Sequence, residues 1–407
     1  MDLELHARTE SGRRLVSLAE ELAADFAGRA AEHDRDGTYP HEDVEALRDS
    51  GYLAAPVPQE LGGMGVESVH DLLVASSRLA RGEPSVAIGA NMHLIPLVNI
   101  AQLWRVATIG GDERRAGAHA RAMEKVAREG IVMAAAISEP GQDLTRPATT
   151  ARRTDDGWTV SGRKVFCTMA PAATLLYAAV TFDDGDGERY GYAQIPAGTP
   201  GVTIHDDWDA LGMRASGSHS VSFEDVRLPG AALGSGFPVG RADDYMARNL
   251  VAGAFHAAAS AGIAEQAHRT AVDGLARRIA PAGAPPRTQI LAAEAAIELS
   301  AIRAMLQRAG ALIDEHHVSR AAPGADGDGL VAVFAEVQAA KTFINEAAVR
   351  VVDRALALSG GAGYMASHPL SRAYRDVRAG AFMHPLGANR AYELIGEVAL
   401  GIEPALH

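Results

Sequence analysis

Apolar positions follow two different periods along this chain, and the change of period divides it in three. Before residue 131 and after residue 235 they fall at helical spacing; in between they alternate or run in short blocks. Leu15, Leu18, Leu22 and Phe26 share one face over residues 12 to 30, with Arg13, Arg14, Glu20 and Glu21 elsewhere, which predicts an amphipathic helix. A short helix over His41 to Asp49, with Val44 and Leu47 inward, ends at Gly51. Two prolines and three glycines between Pro56 and Gly65 read as a loop. Ser68 stands as the N-cap of the next helix, with Asp71 as its capping-box partner. Val69, Leu72, Leu73, Leu79 and Ala80 form its buried stripe, and Gly82 and Pro84 stop it. Residues 85 to 128 continue as helices, the charged mixture at 112 to 129 reading as a solvated face.

From Ile131 the pattern becomes that of strands. Ile131 to Ile137 is a short apolar run, and further runs around Val160, Val165, Leu176 to Val180, Tyr190 to Ile195 and Val202 to Ile204 follow, separated by Asp/Gly and Ser/Gly turns. In Ser220 to Val226, Val221, Phe223 and the stem of Asp225 alternate with Ser222 and Glu224; Pro229 closes this strand. The expectation is an antiparallel β block of one domain's size. Helical spacing returns in residues 243 to 279, 287 to 318 and 330 to 358, and in a last helix from Asn389 to Leu400; the Pro281 to Pro286 run and the Ala321 to Gly329 loop separate the first three. Small residues on long helices allow close packing, so a four-helix bundle is the economical arrangement. The predicted division is an N-terminal helical domain (1–130), a central β domain (131–234) and a C-terminal bundle (235–407), an α+β multidomain class.

At 407 residues the chain has room for two or three domains. The formal net charge of −13 argues against a nucleic-acid partner, and an anionic ligand would need locally placed Arg or Lys. Cys167 is the sole cysteine, which excludes an intrachain disulfide and a Cys-based zinc site and suggests a reducing, cytoplasmic compartment. Met1 to Glu10 carries three acids and no apolar core, so it does not read as a secretory signal. The apolar runs are taken as too short to span a membrane. Glu265 and His268 form an E-x-x-H that lacks the second copy a di-iron site needs, and read as surface; no metal site is expected.

Four segments carry a resemblance. Leu211-Gly212-Met213-Arg214 with the strand after it resembles the central-domain signature of the acyl-CoA dehydrogenase family. Ile137-Ser138-Glu139-Pro140-Gly141 resembles that family's loop at the edge of the flavin. Trp158 to Ala170 is similar to a segment in which an aromatic ring covers the flavin and a threonine bonds near N5; these would be Phe166 and Thr168, with Cys167 a packed thiol on the opposite face. Gly360-Gly361-Ala362-Gly363-Tyr364, before Pro369 to Arg378, resembles a glycine turn that approaches the flavin diphosphate of a neighbouring subunit. The resemblance implies bound FAD, contacted by Ile137, Ser138, Phe166, Thr168, Gly360 and Gly361, and a homodimer or homotetramer. Three departures accompany it, the first being that the family's loop at Ile137 to Asp143 is about two residues longer and the Ser before its Asp has no counterpart. Ala357 stands where the family has a Gln, and Arg277 to Gly283 replaces an R-x-x-F-G.

The family's activity is α,β-dehydrogenation of an acyl thioester, on CoA or a carrier protein, with a Glu taking the α-proton and electrons passing to an electron-transfer flavoprotein. Neither Glu location is kept. One holds His384, an imidazole that ordinarily titrates near neutrality and could serve as base; the other falls at Ala247 to Leu250, where Arg248 could pair with an anionic substrate or flavin oxygen. A loop-capping His384 and an exposed Arg248 are the plain readings, and His256, two turns further along, could face pocket or core. The first expectation is therefore the dehydrogenase. The alternative is a two-component monooxygenase supplied by a flavin reductase, and the third reading is a flavin-bearing binding protein without turnover.

Overall fold

The computed structural model describes residues 3–141, 143–279, 283–322, 329–404 and 406. The first helices are α1 (Glu10–Phe26), α2 (Ala30–Asp36), α3 (His41–Asp49), α4 (Val69–Gly82), α5 (Pro84–Ile109) and α6 (Glu113–Glu129). The helix expected over residues 12 to 30 divides at Ala27 and Gly28 into α1 and α2, whereas α3 falls where the sequence placed it. Ser68 does cap α4, accepting from the Asp71 N–H. The reciprocal half of the box is absent. Asp71's carboxylate instead accepts from the N–H groups of Arg8 and Thr9 and from the Thr9 hydroxyl, so it anchors the start of α1. Nearly every residue of α4 is buried, not only a stripe, because α1 and the C-terminal helices cover it from both sides.

By length and composition α5 is apolar enough to cross a membrane, contrary to the expectation that no segment is. Here it is a core helix: Asn91 donates to the Phe255 carbonyl at 2.9 Å, and the His93 ring bonds both the Leu53 carbonyl and the Met133 N–H at 2.9 Å.

The sheet contains β1 (Met133–Ala136), β2 (Thr150–Thr154), β3 (Gly157–Cys167), β4 (Leu175–Asp183), β5 (Glu188–Pro196), β6 (Val202–Ile204), β7 (His219–Pro229) and β8 (Phe237–Pro238). Its order is β6-β7-β3-β2-β4-β5-β8, with β1 also on β4. The block is not wholly antiparallel: β1 and β2 both run parallel to β4, since each reaches it through a crossover rather than a hairpin. Two bulges shape the β3–β7 pair. Asp225, at φ 49°, is the extra residue of β7, so it turns to solvent and the buried row continues at Val226 instead. Phe166, at φ 56°, is the extra residue of β3.

The C-terminal part holds α7 (Ala242–Asn249), α8 (Ala252–Ala276), α9 (Pro286–Ala321), α10 (Leu330–Ser359), α11 (Pro369–Asp376) and α12 (Ala388–Ala399). The single helix expected from 243 to 279 breaks at Leu250 and Val251 without Pro or Gly. The Asn249 side chain returns to the Tyr245 carbonyl at 2.9 Å, a back-bond of the kind that bends helices. Residues 281–282 of the Pro281 to Pro286 run and 323–328 of the Ala321 to Gly329 loop lie outside the described residues. Glu265 is not a surface residue: its carboxylate is buried among Arg78, Arg81 and Arg303, at 3.5, 2.7 and 2.8 Å. One large apolar core runs from α1 through α4 and α5 into the bundle, and a second fills the sheet.

Candidate active site

A cavity of about 590 Å³ opens where sheet, α5 and bundle meet. Several elements deliver its polar groups. The end of β3 contributes Phe166 and Thr168, the loop after β1 contributes Ile137 and Ser138, the α7–α8 break contributes Arg248, Asn249 and His256, and the loop after α11 contributes His384. Seven of the candidate residues singled out in the sequence, Ile137, Ser138, Phe166, Thr168, Arg248, His256 and His384, therefore line one cavity. Gly360 and Gly361 do not; they are exposed in the turn after α10 and line no part of this cavity.

The bulge explains how Phe166 reaches the cavity. A left-handed φ is costly for an aromatic residue, and it swings the ring out of the sheet, leaving it 62% exposed with its edge against Trp208 (centroids 6.0 Å apart). An apolar ring held in the open beside a deep cavity fits a planar aromatic ligand such as an isoalloxazine. Thr168, by contrast, is buried. Its hydroxyl meets that of Ser218 at 2.9 Å, and Ser218 meets Ser216 at 2.7 Å, giving a row of three hydroxyls along the wall. Cys167 is buried on the other side, where burial pushes its thiol up to about 12, as suits a packed residue.

The loop carrying Ile137 and Ser138 is held from below. Lys164 and Glu139 form a buried ion pair at 2.6 Å; Glu139 also accepts from the Thr149 N–H, and Lys164 donates to the Ile137 carbonyl at 3.3 Å. Gly212 lets the Leu211–Arg214 turn close against α11: a Cβ there would stand 2.4 Å from the Arg375 carbonyl oxygen. Asp376 at the end of α11 then accepts from the Met213 N–H at 2.7 Å.

His384 does not have the properties of the expected base. Its Nε2–H donates to Asn249 Oδ1 at 2.7 Å, so Nδ1 is the unprotonated nitrogen. Burial and then the Lys341 ammonium push the imidazole down to about 3, far from neutrality. Lys341 itself, lowered to about 7 by burial, holds the His384 loop by its backbone, binding the carbonyls of Met383 and, at 2.7 Å, Leu386. Arg248 is half-buried, and among the described residues no carboxylate pairs with it. Sequence reasoning missed Tyr177 and Tyr192, which stack in the cavity floor at 4.7 Å, and Asn249 and Ser218. Strand alternation could have flagged the two tyrosines; nothing in the sequence marks Asn249.

An N-terminal helical layer, a mixed sheet and a helical bundle enclosing such a cavity define a flavin oxidoreductase architecture. Family models for the N-terminal, middle and C-terminal domains of acyl-CoA dehydrogenases match residues 9–107, 134–226 and 245–389. The chain belongs to the acyl-CoA dehydrogenase family. Within it, the chain is 34% identical to the amino sugar nitrososynthase DnmZ of Streptomyces peucetius, over 97% of this chain and 95% of that one. It is 28% identical to the human mitochondrial short-chain specific acyl-CoA dehydrogenase, over 86% and 80%. Among solved structures, KijD3 in complex with FMN and dTDP-3-amino-2,3,6-trideoxy-4-keto-3-methyl-D-glucose superposes with a TM-score of 0.90 at 34% identity, covering 98% of this chain and 96% of that one.

Proposed function

We propose that the protein is a two-component flavin-dependent monooxygenase that oxidises the amine nitrogen of a nucleotide-linked amino sugar. One observation carries this reading: among the described residues, no Asp or Glu lines the cavity. Thioester dehydrogenation needs a base matched to the α-proton, and a neutral imidazole depressed to about 3 is poorly suited to take it. Relatives 34% identical to the chain over nearly its full length point the same way.

Bound reduced flavin would supply, with molecular oxygen, the electrophilic oxygen that an amine lone pair can attack. In sum, one oxygen atom goes to nitrogen, the other leaves as water, and two electrons come from the flavin. The residues of this chain bind and orient. Phe166 offers its ring to the isoalloxazine, and Ile137, Ser138 and Thr168 serve the polar edge. Arg248 faces a phosphate or another anionic group. Gly360 and Gly361 would contribute only from a second subunit of a homo-oligomer. The flavin is proposed to be an exchangeable FMN or FAD delivered by a reductase, in place of a resident FAD drained by an electron-transfer flavoprotein.

The test compares the two chemistries on one preparation. Mixing the reduced, flavin-loaded protein with oxygen and a dTDP-linked amino sugar should give a product carrying added oxygen by mass spectrometry. Acyl-CoA added anaerobically should leave the oxidised flavin spectrum unchanged. Bleaching by acyl-CoA, with no oxygenated sugar formed, would return the protein to the dehydrogenases.

A further inference from the structure

His256 is a buried polar residue of the cavity that the reading above leaves unused. It sits one turn into α8, is 2% exposed, and lines the cavity wall. Among the described residues, neither Nδ1 nor Nε2 finds a hydrogen-bond partner. A buried imidazole without partners is costly, and such groups in native folds ordinarily have a water or ligand to complete them.

The charges around it narrow what that ligand group can be. Lys341 from α10 and His384 from the loop after α11 are the titratable groups that bear on the ring. From α5 the cavity receives Ile88, Met92 and Asn99, none of which titrates. Three arginines complete the wall: Arg248 without a carboxylate partner, Arg375 paired with Asp34, and Arg378 with Asp353 at 3.5 Å. Neither of those aspartates lines the cavity. A ligand ammonium would enter a space whose ionisable side chains are cationic or neutral. Burial, then Lys341 and His384, hold the His256 imidazole well below its usual range, so it stays neutral and keeps one lone pair.

We propose that the cavity takes its substrate amine only in the uncharged form and that His256 accepts a hydrogen bond from that amine's N–H. The inference rests on the amino-sugar reading. An aliphatic amine titrates between about 8 and 10, so at neutral pH the ammonium gives its proton to bulk water before the amine is seated. One N–H then points at His256, and the nitrogen lone pair, which an ammonium lacks, is left for oxidation. The arrangement selects the reactive protonation state by refusing the other one, with no carboxylate among the described lining residues.

Calorimetry on the flavin-free protein tests this without turnover. The ligands are a dTDP-linked amino sugar and the analogue lacking the amine, each titrated at neutral pH in two buffers of different ionisation enthalpy. The amino ligand should release close to one proton per site, and the analogue none. His256→Leu should bind the amino ligand roughly three- to tenfold more weakly with the analogue unaffected, and His256→Gln, which keeps an acceptor, should recover most of the loss. Circular dichroism checks that both variants fold, and proton release from the wild type needs no variant. Binding without proton release, or an amino-ligand affinity that His256→Leu leaves unchanged, overturns the inference and leaves the amino-sugar reading standing. Failure of both sugar nucleotides to bind overturns the two together.

Discussion

His384 donates through Nε2 to Asn249 at 2.7 Å, and Asn249 in turn donates to the Tyr245 carbonyl at 2.9 Å. The second bond fixes which way the amide faces, and the first fixes the tautomer of the imidazole. Asn249→Leu should therefore release the ring and leave an N–H unpaired. A loss of about 1–3 kcal/mol is expected in chemical denaturation. The ¹⁵N shifts of His384 should move from a single tautomer to a mixture, and an unchanged spectrum would show that the amide does not set it.

Phe166 separates stability from binding. Its φ of 56° is unfavourable for an L side chain, and its ring is mostly exposed. Phe166→Gly should cost little stability or gain up to about 1 kcal/mol, while weakening flavin about tenfold through loss of the ring. Thermal unfolding and flavin fluorescence titration read the two effects separately.

Arg248 lines the cavity, and among the described residues no carboxylate lines it beside Arg248. Arg248→Gln should weaken a dTDP-linked ligand by roughly tenfold and flatten the salt dependence of its affinity. An equal loss for an uncharged sugar would mean that the residue acts by packing instead.

Asp376 gives a pH dependence. Burial pushes its carboxyl up to about 7, against the pull of Arg372. A carboxyl whose folded pKa lies above its unfolded value of 3.8 stabilises fully below that value. The contribution is lost as pH rises through about 4 to 7. Asp376→Asn keeps an acceptor for the Met213 N–H and cannot ionise. Urea midpoints should show the variant more stable than the wild type above neutrality and the difference closing toward pH 4; a constant offset would mean that ionisation is not the cause.

Gly212 tests the close approach of the signature turn to α11. Gly212→Ala puts a methyl 2.4 Å from a backbone oxygen that cannot swing aside, so a loss of about 1–3 kcal/mol is expected. The Met213 amide should also exchange faster with solvent as its bond to Asp376 opens. Wild-type stability and protection would show that the turn can shift without cost.

The helix–sheet–helix order, the start and end of α3, the cap at Ser68 and the segments that line one cavity were all legible along the chain. Each of these is local: a period, a cap, or a run of residues whose side chains are chosen by their neighbours in the chain. Tertiary structure decided the rest. The two bulges that turn Phe166 into the cavity and Asp225 away from the core arise from pairing β3 with β7, and no spacing within either strand reveals them. The break that places Arg248 and Asn249 comes from a side chain bonding its own helix, where propensity favours continuation. His384 carries an ordinary imidazole in the sequence; only the surrounding apolar wall and Lys341, 43 residues away, make it a neutral hydrogen-bond donor. That no carboxylate among the described residues lines the cavity is likewise invisible in a chain with 51 acidic residues, because it depends on where they go.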